Sequence, residues 1–423
     1  MTRFSIRLTA VAALLHTAIA VAQTASVRDF APQCSPPFGS GVTVTVAPPT
    51  VGTIVPITTR APRFSGGWVV LSVSANHLGF DLTPFGSPGC RLYPTLDAGL
   101  LLPFSLLSAT TATHTVPVPH GVPLGTQFFV QAVLTNPGPA GHGILTSNAV
   151  HATVGYEPDL TDSQIAAFAP IVRLHPNERY MPMDPMLFIQ LSRFRHHRGW
   201  QSDQGYNKRT NTWDTTDSHG RDYYDVPVSV VNAYGLNSNG TNRRPRDANS
   251  GSSWNVFLQP SGAPTGHSHP SGVVPVFHHY RRSGDVHQIQ YWWFFGFNDS
   301  LATFNHQGDW EHVTVHVVGG RVVGIYFAAH EGGEYREASR VAFHLGRPVV
   351  YVARGSHAAY PTVGTFHYGV DETADGGYAW DTSSLLGRLA DQPWRDFAGA
   401  WGEVGSIATT TGPLGPWFKR AAP

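Results

Sequence analysis

The sequence predicts an all-β chain: a small N-terminal β-sandwich followed by a larger β-sandwich domain with long loops and a short helix. Three observations carry this reading. Gly (44) and Pro (33) are abundant and aromatics make up 12% of residues, a mix that favours short strands joined by tight turns. Val42-Thr43-Val44-Thr45-Val46 alternates apolar and polar residues, the period of a half-buried strand. Further β-prone runs, Trp68 to Val73 and Gln127 to Leu134, are separated by turn residues.

The N-terminus comes first. Arg3 and Arg7 precede an apolar run from Leu8 to Val21, and Ala20-Val21-Ala22 offers a small-residue cleavage pattern before Gln23. His16 and Thr17 interrupt the run, which is too short for a membrane span, and no later stretch reaches ~18 apolar residues. Residues 1–22 therefore read as a signal peptide. The expectation is a secreted or extracytoplasmic protein, in a periplasm or at a cell surface, with no transmembrane segment.

Residues 23–155 read as the small β-sandwich. Its two cysteines, Cys34 and Cys90, are the only ones in the chain, and in an oxidising compartment they are expected to form one disulfide. Neither has zinc-site spacing. Residues 156–423 form the second domain. Thr161-Asp-Ser-Gln164 has the form of a capping box, predicting a short helix to Phe168 that Pro170 ends. The polar stretch Ser202 to Ser253 predicts long surface loops. Lys+Arg and Asp+Glu balance at 28 each, so no broad positive field exists to gather nucleic acid.

The chemistry concentrates between Tyr291 and Val318. Tyr291-Trp-Trp-Phe-Phe-Gly-Phe297 reads as an apolar aromatic strand, with core packing as its simplest role. In the next run, residues two apart share a face, so Asp309 and Glu311 point the same way as Val313, Val315 and Val317. Two carboxylates on a core-facing row need a cationic partner. His306 precedes them closely enough to turn to the same point. One His and two carboxylates suit a divalent cation, Ca²⁺ or Mg²⁺ rather than structural Zn²⁺; the alternative is an Arg or Lys partner, with Arg347 and Arg354 available. His312 and His316 would lie ~13 Å apart on a strand and cannot share an ion. Two loops past strand ends add candidates for contact with an ion or ligand: His330 and Glu334 in one, His357 in the other. Ordinary loop residues are the alternative for all three.

Several of these segments resemble one family. Leu174-His-Pro-Asn-Glu-Arg-Tyr180, Tyr291-Trp-Trp-Phe-Phe, Gly308-Asp-Trp-Glu-His312, His330-Glu-Gly-Gly-Glu334, Arg347-Pro-Val-Val-Tyr351 and Gly355-Ser-His-Ala-Ala-Tyr-Pro361 are similar to the vacuolar protein sorting-associated protein 62 family. So are Asp371-Glu-Thr-Ala-Asp-Gly-Gly377 and Phe397-Ala-Gly-Ala-Trp401-Gly402. A narrower resemblance links Asn305-His306-Gln307-Gly308-Asp309-Trp310-Glu311 to the Gly-His-Arg-His-Asp-Trp-Glu motif of the necrosis- and ethylene-inducing toxin-like proteins. That resemblance implies a β-sandwich, a divalent cation on His306, Asp309 and Glu311, and contact with sphingolipid head groups. The sequence departs from the motif at Asn305 and at Gly308, where that family has a second His.

Together these readings give an expected function: an exported, non-enzymatic, divalent-cation-binding protein recognising a glycan or polar lipid head group. The alternatives are a metal-dependent hydrolase with Glu311 or His357 as base, and a structural cell-surface protein with no metal.

Overall fold

The computed structural model describes residues 24–34, 42–61, 65–96, 99–106, 110–135, 144–197, 204–207, 212–214, 226–235, 244, 255–300, 303–330 and 332–419. The expected signal peptide lies outside the described residues. Strands dominate the chain, as its composition predicts. It divides into two compact units, Met1–Pro158 and Asp159–Pro423.

The first unit is built on a five-stranded antiparallel sheet, in the order Ser26–Ala31, Ile144–Thr153, Gln127–Thr135, Ser65–Ser72, Gly99–Leu106. A three-stranded sheet joins Thr43–Val46, Ile54–Arg60 and Thr111–Pro117. Alternation explains how the two share a core. Val44, Val46, Val55 and Ile57 point from the small sheet into one cluster with Val69, Val130, Ala132 and Ala152 of the large one. Cys34 and Cys90 form the expected disulfide.

The second unit opens on α1 (Asp162–Phe168). Thr161 caps it with the reciprocal Gln164 contact, so the predicted capping box is present. The strands that matter for the site are β1 (Ile171–Arg173), β2 (Val276–Ser283), β3 (Val286–Asn298), β4 (His306–Val318), β5 (Arg321–Ala329), β6 (Gly332–Glu337), β7 (Arg347–Val352), β8 (Asp371–Thr373), β9 (Ala379–Asp381) and β10 (Leu386–Arg388). A six-stranded sheet runs β6-β5-β4-β3-β2-β10. A second sheet pairs β7 in parallel with β1, and β1 with β9.

The sandwich expectation is modified here, because the central sheet carries a core on each face. Tyr291, Trp293, Phe295, Val313, Val315 and Val317 pack with Val172, Val350, Val352 and Trp380. The alternate residues Trp292, Phe294 and Trp310 pack on the other side with Phe194, Val256, Leu258 and Trp401. The unbroken aromatic run of β3 is what makes this arrangement work, since a strand covered on both faces needs apolar residues at every position. The polar stretch from 202 to 253 is not all loop either. It contributes strands Gln204–Asn207 and Thr212–Asp214 and the helix Val228–Asn232, with Tyr206 and Val231 buried.

Candidate functional site

The predicted parity of β4 holds. Asp309 faces Phe295 and Glu311 faces Trp293 across the β3–β4 ladder, on the same face as the buried valines. Trp310 and His312 point the opposite way. His312 stacks on Trp292 at 3.9 Å, and burial holds its imidazole neutral, with a pKa of about 3. This side-chain alternation places two carboxyl groups where the aliphatic row of β4 ends.

The partner of Asp309 is a histidine and not an arginine. His357 Nδ1 lies 2.9 Å from Asp309 Oδ2, and Asn298 Nδ2 donates to the same oxygen at 3.3 Å. Arg347 instead pairs with Asp381 and donates to the Ala169 and Pro170 carbonyls. The His357 ring lies flat on Phe295 at 3.7 Å, and its Nε2 sits 3.6 Å from Glu178 Oε1, an ion-pair distance beyond a hydrogen bond. Burial opposes charge on this ring, but the Glu178 and Asp309 carboxylates raise its pKa to about 9.

Glu178 was not singled out from the sequence, yet it anchors the cluster. Its Oε1 accepts the N–H groups of Arg179 and Tyr180 at 2.8 and 2.9 Å, and its Oε2 accepts Gly355 N–H at 2.7 Å. Burial would raise its pKa; His357 and the backbone donors outweigh that and hold it at about 2. Gly355 must be glycine. Its φ is +75°, and a Cβ would fall 2.1 Å from the Asp299 carbonyl oxygen.

A second cluster adjoins the first. Buried Asp371 accepts from Ser356 Oγ at 2.6 Å and Tyr360 Oη at 2.6 Å, and meets His330 Nε2 at 2.7 Å. Burial alone would raise the Asp371 pKa, but these three donors lower it. The Asp371 hydrogen bond in turn raises that of His330 against burial. His330 and His357 both take left-handed backbone at φ 55° and 58°, a conformation that costs a non-glycine residue ~1–2 kcal/mol. Glu334 stays outside this cluster, paired with Arg336 at 2.7 Å on the surface.

Glu311 is different. It is half-buried and makes no hydrogen bond or ion pair among the described residues. Burial, then the nearby Asp309 and Asp371 charges, push its pKa well above the usual carboxylate range, against the pull of Lys419. His306 Nδ1 lies 2.8 Å from the Gly308 carbonyl oxygen. A carbonyl only accepts, so Nδ1 carries the proton and Nε2 keeps its lone pair in the neutral ring. Burial lowers the His306 pKa, against the opposing pull of Asp309 and that carbonyl. Among the described residues, no three His, Cys, Asp or Glu side chains lie where they could hold a metal ion together, so His306, Asp309 and Glu311 are not gathered as the expected triad. The departure at Gly308 has a steric cause: φ is +69°, and a Cβ would lie 1.9 Å from the Trp401 carbonyl oxygen.

Residues 298–383 match the family model of vacuolar protein sorting-associated protein 62. That stretch of the chain is similar to the family. The stretch includes every member of both clusters except Glu178. The protein of this name from Saccharomyces cerevisiae is 26% identical over 280 residues, 56% of this chain. The chain spans 58% of that relative's length. Among solved structures, Necrosis and Ethylene inducing Protein 2 from the causal agent of cocoa's Witches Broom disease is similar at 13% identity and a TM-score of 0.26, over 55% of this chain and 76% of that one. NLPPya in complex with mannosamine is similar at 13% identity and a TM-score of 0.27, over 57% of this chain and 78% of that one.

Proposed function

We propose that the second unit is a non-enzymatic recognition module that takes a divalent cation on Glu311, Asp309 and His306 and uses it to hold a glycan or polar lipid head group. The observation that carries this reading is Glu311, a half-buried carboxyl group with no hydrogen-bond or ion-pair partner among the described residues, beside two further carboxylates. A cation is what such a set lacks. To hold one, the remaining donors would have to draw together, since no three such side chains are gathered among the described residues. Glu311 is uncommitted, Asp309 has one oxygen outside its contacts with His357 and Asn298, and His306 presents Nε2 while its other nitrogen is tied to a carbonyl, as metal-binding histidines usually are. The buried Asn298 Oδ1 has no partner either. Oxygen donors outnumber nitrogen, which favours Ca²⁺ or Mg²⁺ over Zn²⁺. When bound, the ion would supply positive charge and open coordination positions for sugar hydroxyls or a phosphate.

Export belongs to the same proposal. The buried Cys34–Cys90 disulfide supports an oxidising compartment, and no helix among the described residues is long and apolar enough to cross a membrane.

Isothermal titration of the purified chain with CaCl₂ and MgCl₂ tests the site. Wild type should bind one ion, and Asp309→Asn or Glu311→Gln should weaken binding at least tenfold with the fold intact. Wild-type protein that takes up no ion at millimolar concentration refutes the reading. A glycan and lipid array with and without chelator then tests the ligand class.

A further inference from the structure

The first unit holds a cleft that the proposed function leaves unused. Its volume is about 510 Å³, within the range of small-molecule sites. The hairpin of Ala75–Asp81 and Arg91–Pro94 forms one wall, and the strands Ser65–Ser72 and Gly99–Leu106 form the other. Trp68, Phe80, Phe85, Leu96 and Leu101 line it, and each is 41–60% exposed. None of its described lining residues is charged.

Two of the polar side chains on its wall, Asn76 and Thr95, are engaged within the chain. Asn76 Oδ1 accepts the Leu78 N–H at 3.0 Å. The Thr95 hydroxyl pairs with the hydroxyls of Ser72 and Ser74. The charged residues of the hairpin also turn to their own chain. Arg91 donates to the Leu78 and Gly79 carbonyls, and Asp81 accepts from Thr83. Water in the cleft meets mostly apolar side chains. Filling it with hydrocarbon releases that water and removes apolar surface from solvent.

We propose that the first unit binds a small ligand through an uncharged hydrocarbon body seated in this cleft. A protein partner would need a far larger complementary surface, on the order of 1,000 Å². The wall is stiffened from behind, because Leu82, Leu92 and Ile144 pack with the Cys34–Cys90 disulfide. The hydrocarbon can come from an acyl chain or from an aromatic molecule, and competition separates these sources.

The probe is N-phenyl-1-naphthylamine, uncharged and fluorescent in apolar surroundings, titrated into the full chain. Saturable binding at one site is expected. Displacement by dodecanoic acid identifies an acyl chain; displacement by naphthalene alone identifies an aromatic body. Leu96→Glu and Leu101→Glu, at exposed rim positions, should weaken binding at least tenfold, while Leu187→Glu in the second unit should not. A measurement on unaltered rims guards against misfolding: 12-bromododecanoic acid should quench Trp68, and the quench should vanish in Trp68→Phe. Unsaturable binding, or equal affinity in both rim variants, overturns the proposal. So does sedimentation showing a wild-type dimer that Leu101→Glu abolishes, because a second copy would then occupy the cleft.

Discussion

The Glu178–His357 contact gives the most demanding prediction. Glu178→Gln keeps the shape of the side chain and removes its charge, leaving His357 to Asp309 alone. The His357 pKa is raised from 6.5 to about 9 and that of Glu178 lowered from 4.5 to about 2. The two shifts share this contact and are counted once, with Asp309 also raising His357 and the backbone donors also lowering Glu178. At ~1.4 kcal/mol per tenfold change in proton affinity, the contact is worth about 3 kcal/mol. Glutamine also turns an amide donor toward backbone N–H groups that now donate to Glu178, so the full cost should be about 3–5 kcal/mol, the usual range for breaking a buried pair. The pH dependence follows from the signs. A raised histidine stabilises fully below pH 6.5 and loses its contribution as pH rises through about 9. A depressed glutamate stabilises fully above pH 4.5 and loses its contribution as pH falls toward about 2. The difference between wild type and variant should therefore be greatest between pH 4.5 and 6.5 and shrink toward pH 9. Urea unfolding followed by tryptophan fluorescence reads the second unit, because Trp68 is the only one of the 11 tryptophans outside it. A cost below about 1 kcal/mol, or a difference flat from pH 6 to 10, refutes the assignment of charge to His357.

Three other outcomes follow from the same structure. His312→Phe should keep the stack on Trp292 and remove a buried neutral imidazole of pKa about 3. Because the unfolded ring protonates near 6.5, wild type loses stability as pH falls below that value, and at pH 5 the variant should be ahead by about 2 kcal/mol in urea unfolding. Gly308→His should cost more than ~3 kcal/mol or abolish soluble expression, since a Cβ would collide with the Trp401 carbonyl; a variant that folds with wild-type stability contradicts this geometry. Replacing Cys34 and Cys90 by serine opens a loop of 56 positions, and calorimetry should show the first unit destabilised by ~4 kcal/mol.

Local pattern made part of this architecture legible. Residue parity placed Asp309 and Glu311 inward with Val313, Val315 and Val317, and separated Trp310 and His312 from them. Thr161 and Gln164 marked the start of α1, and the apolar runs marked β3, β5 and β7. His330 and His357 stood out because each follows a strand end. Glu178 could not be found this way. It lies 177 positions before Gly355, whose N–H it accepts, and reaches it through the parallel pairing of β1 with β7. Parallel neighbours carry no turn between them to record the contact in sequence. Asp371, Tyr360 and Ser356 sat inside the recognised motifs, but their shared hydrogen bonds depend on the folding of separate loops. The two-sided core was likewise present in the run Tyr291 to Phe297, but a run of that kind does not say how many layers cover it.

The charge balance argues that these two clusters form one site. Four carboxyl groups, Glu178, Asp309, Glu311 and Asp371, meet two imidazoles, and each imidazole is already committed: His357 to Glu178 and Asp309, His330 to Asp371. Protonating both rings still leaves two negative charges uncompensated if all four acids ionise, one of them on Glu311, where Lys419 offsets only part of the effect of burial and the neighbouring charges. Folding energy alone would favour replacing such a residue by an apolar one, because the row it ends is otherwise valine. Both histidines also pay for left-handed backbone to reach their acids, and strain of that kind persists where the surrounding structure holds it for a purpose. On the proposed reading, this set of acids, with Glu311 unpaired among the described residues, takes its balancing positive charge from outside the chain. Cation titration reads this set directly, because Glu311 and His306 Nε2 are the groups left uncommitted while His357 and His330 are held by their acids.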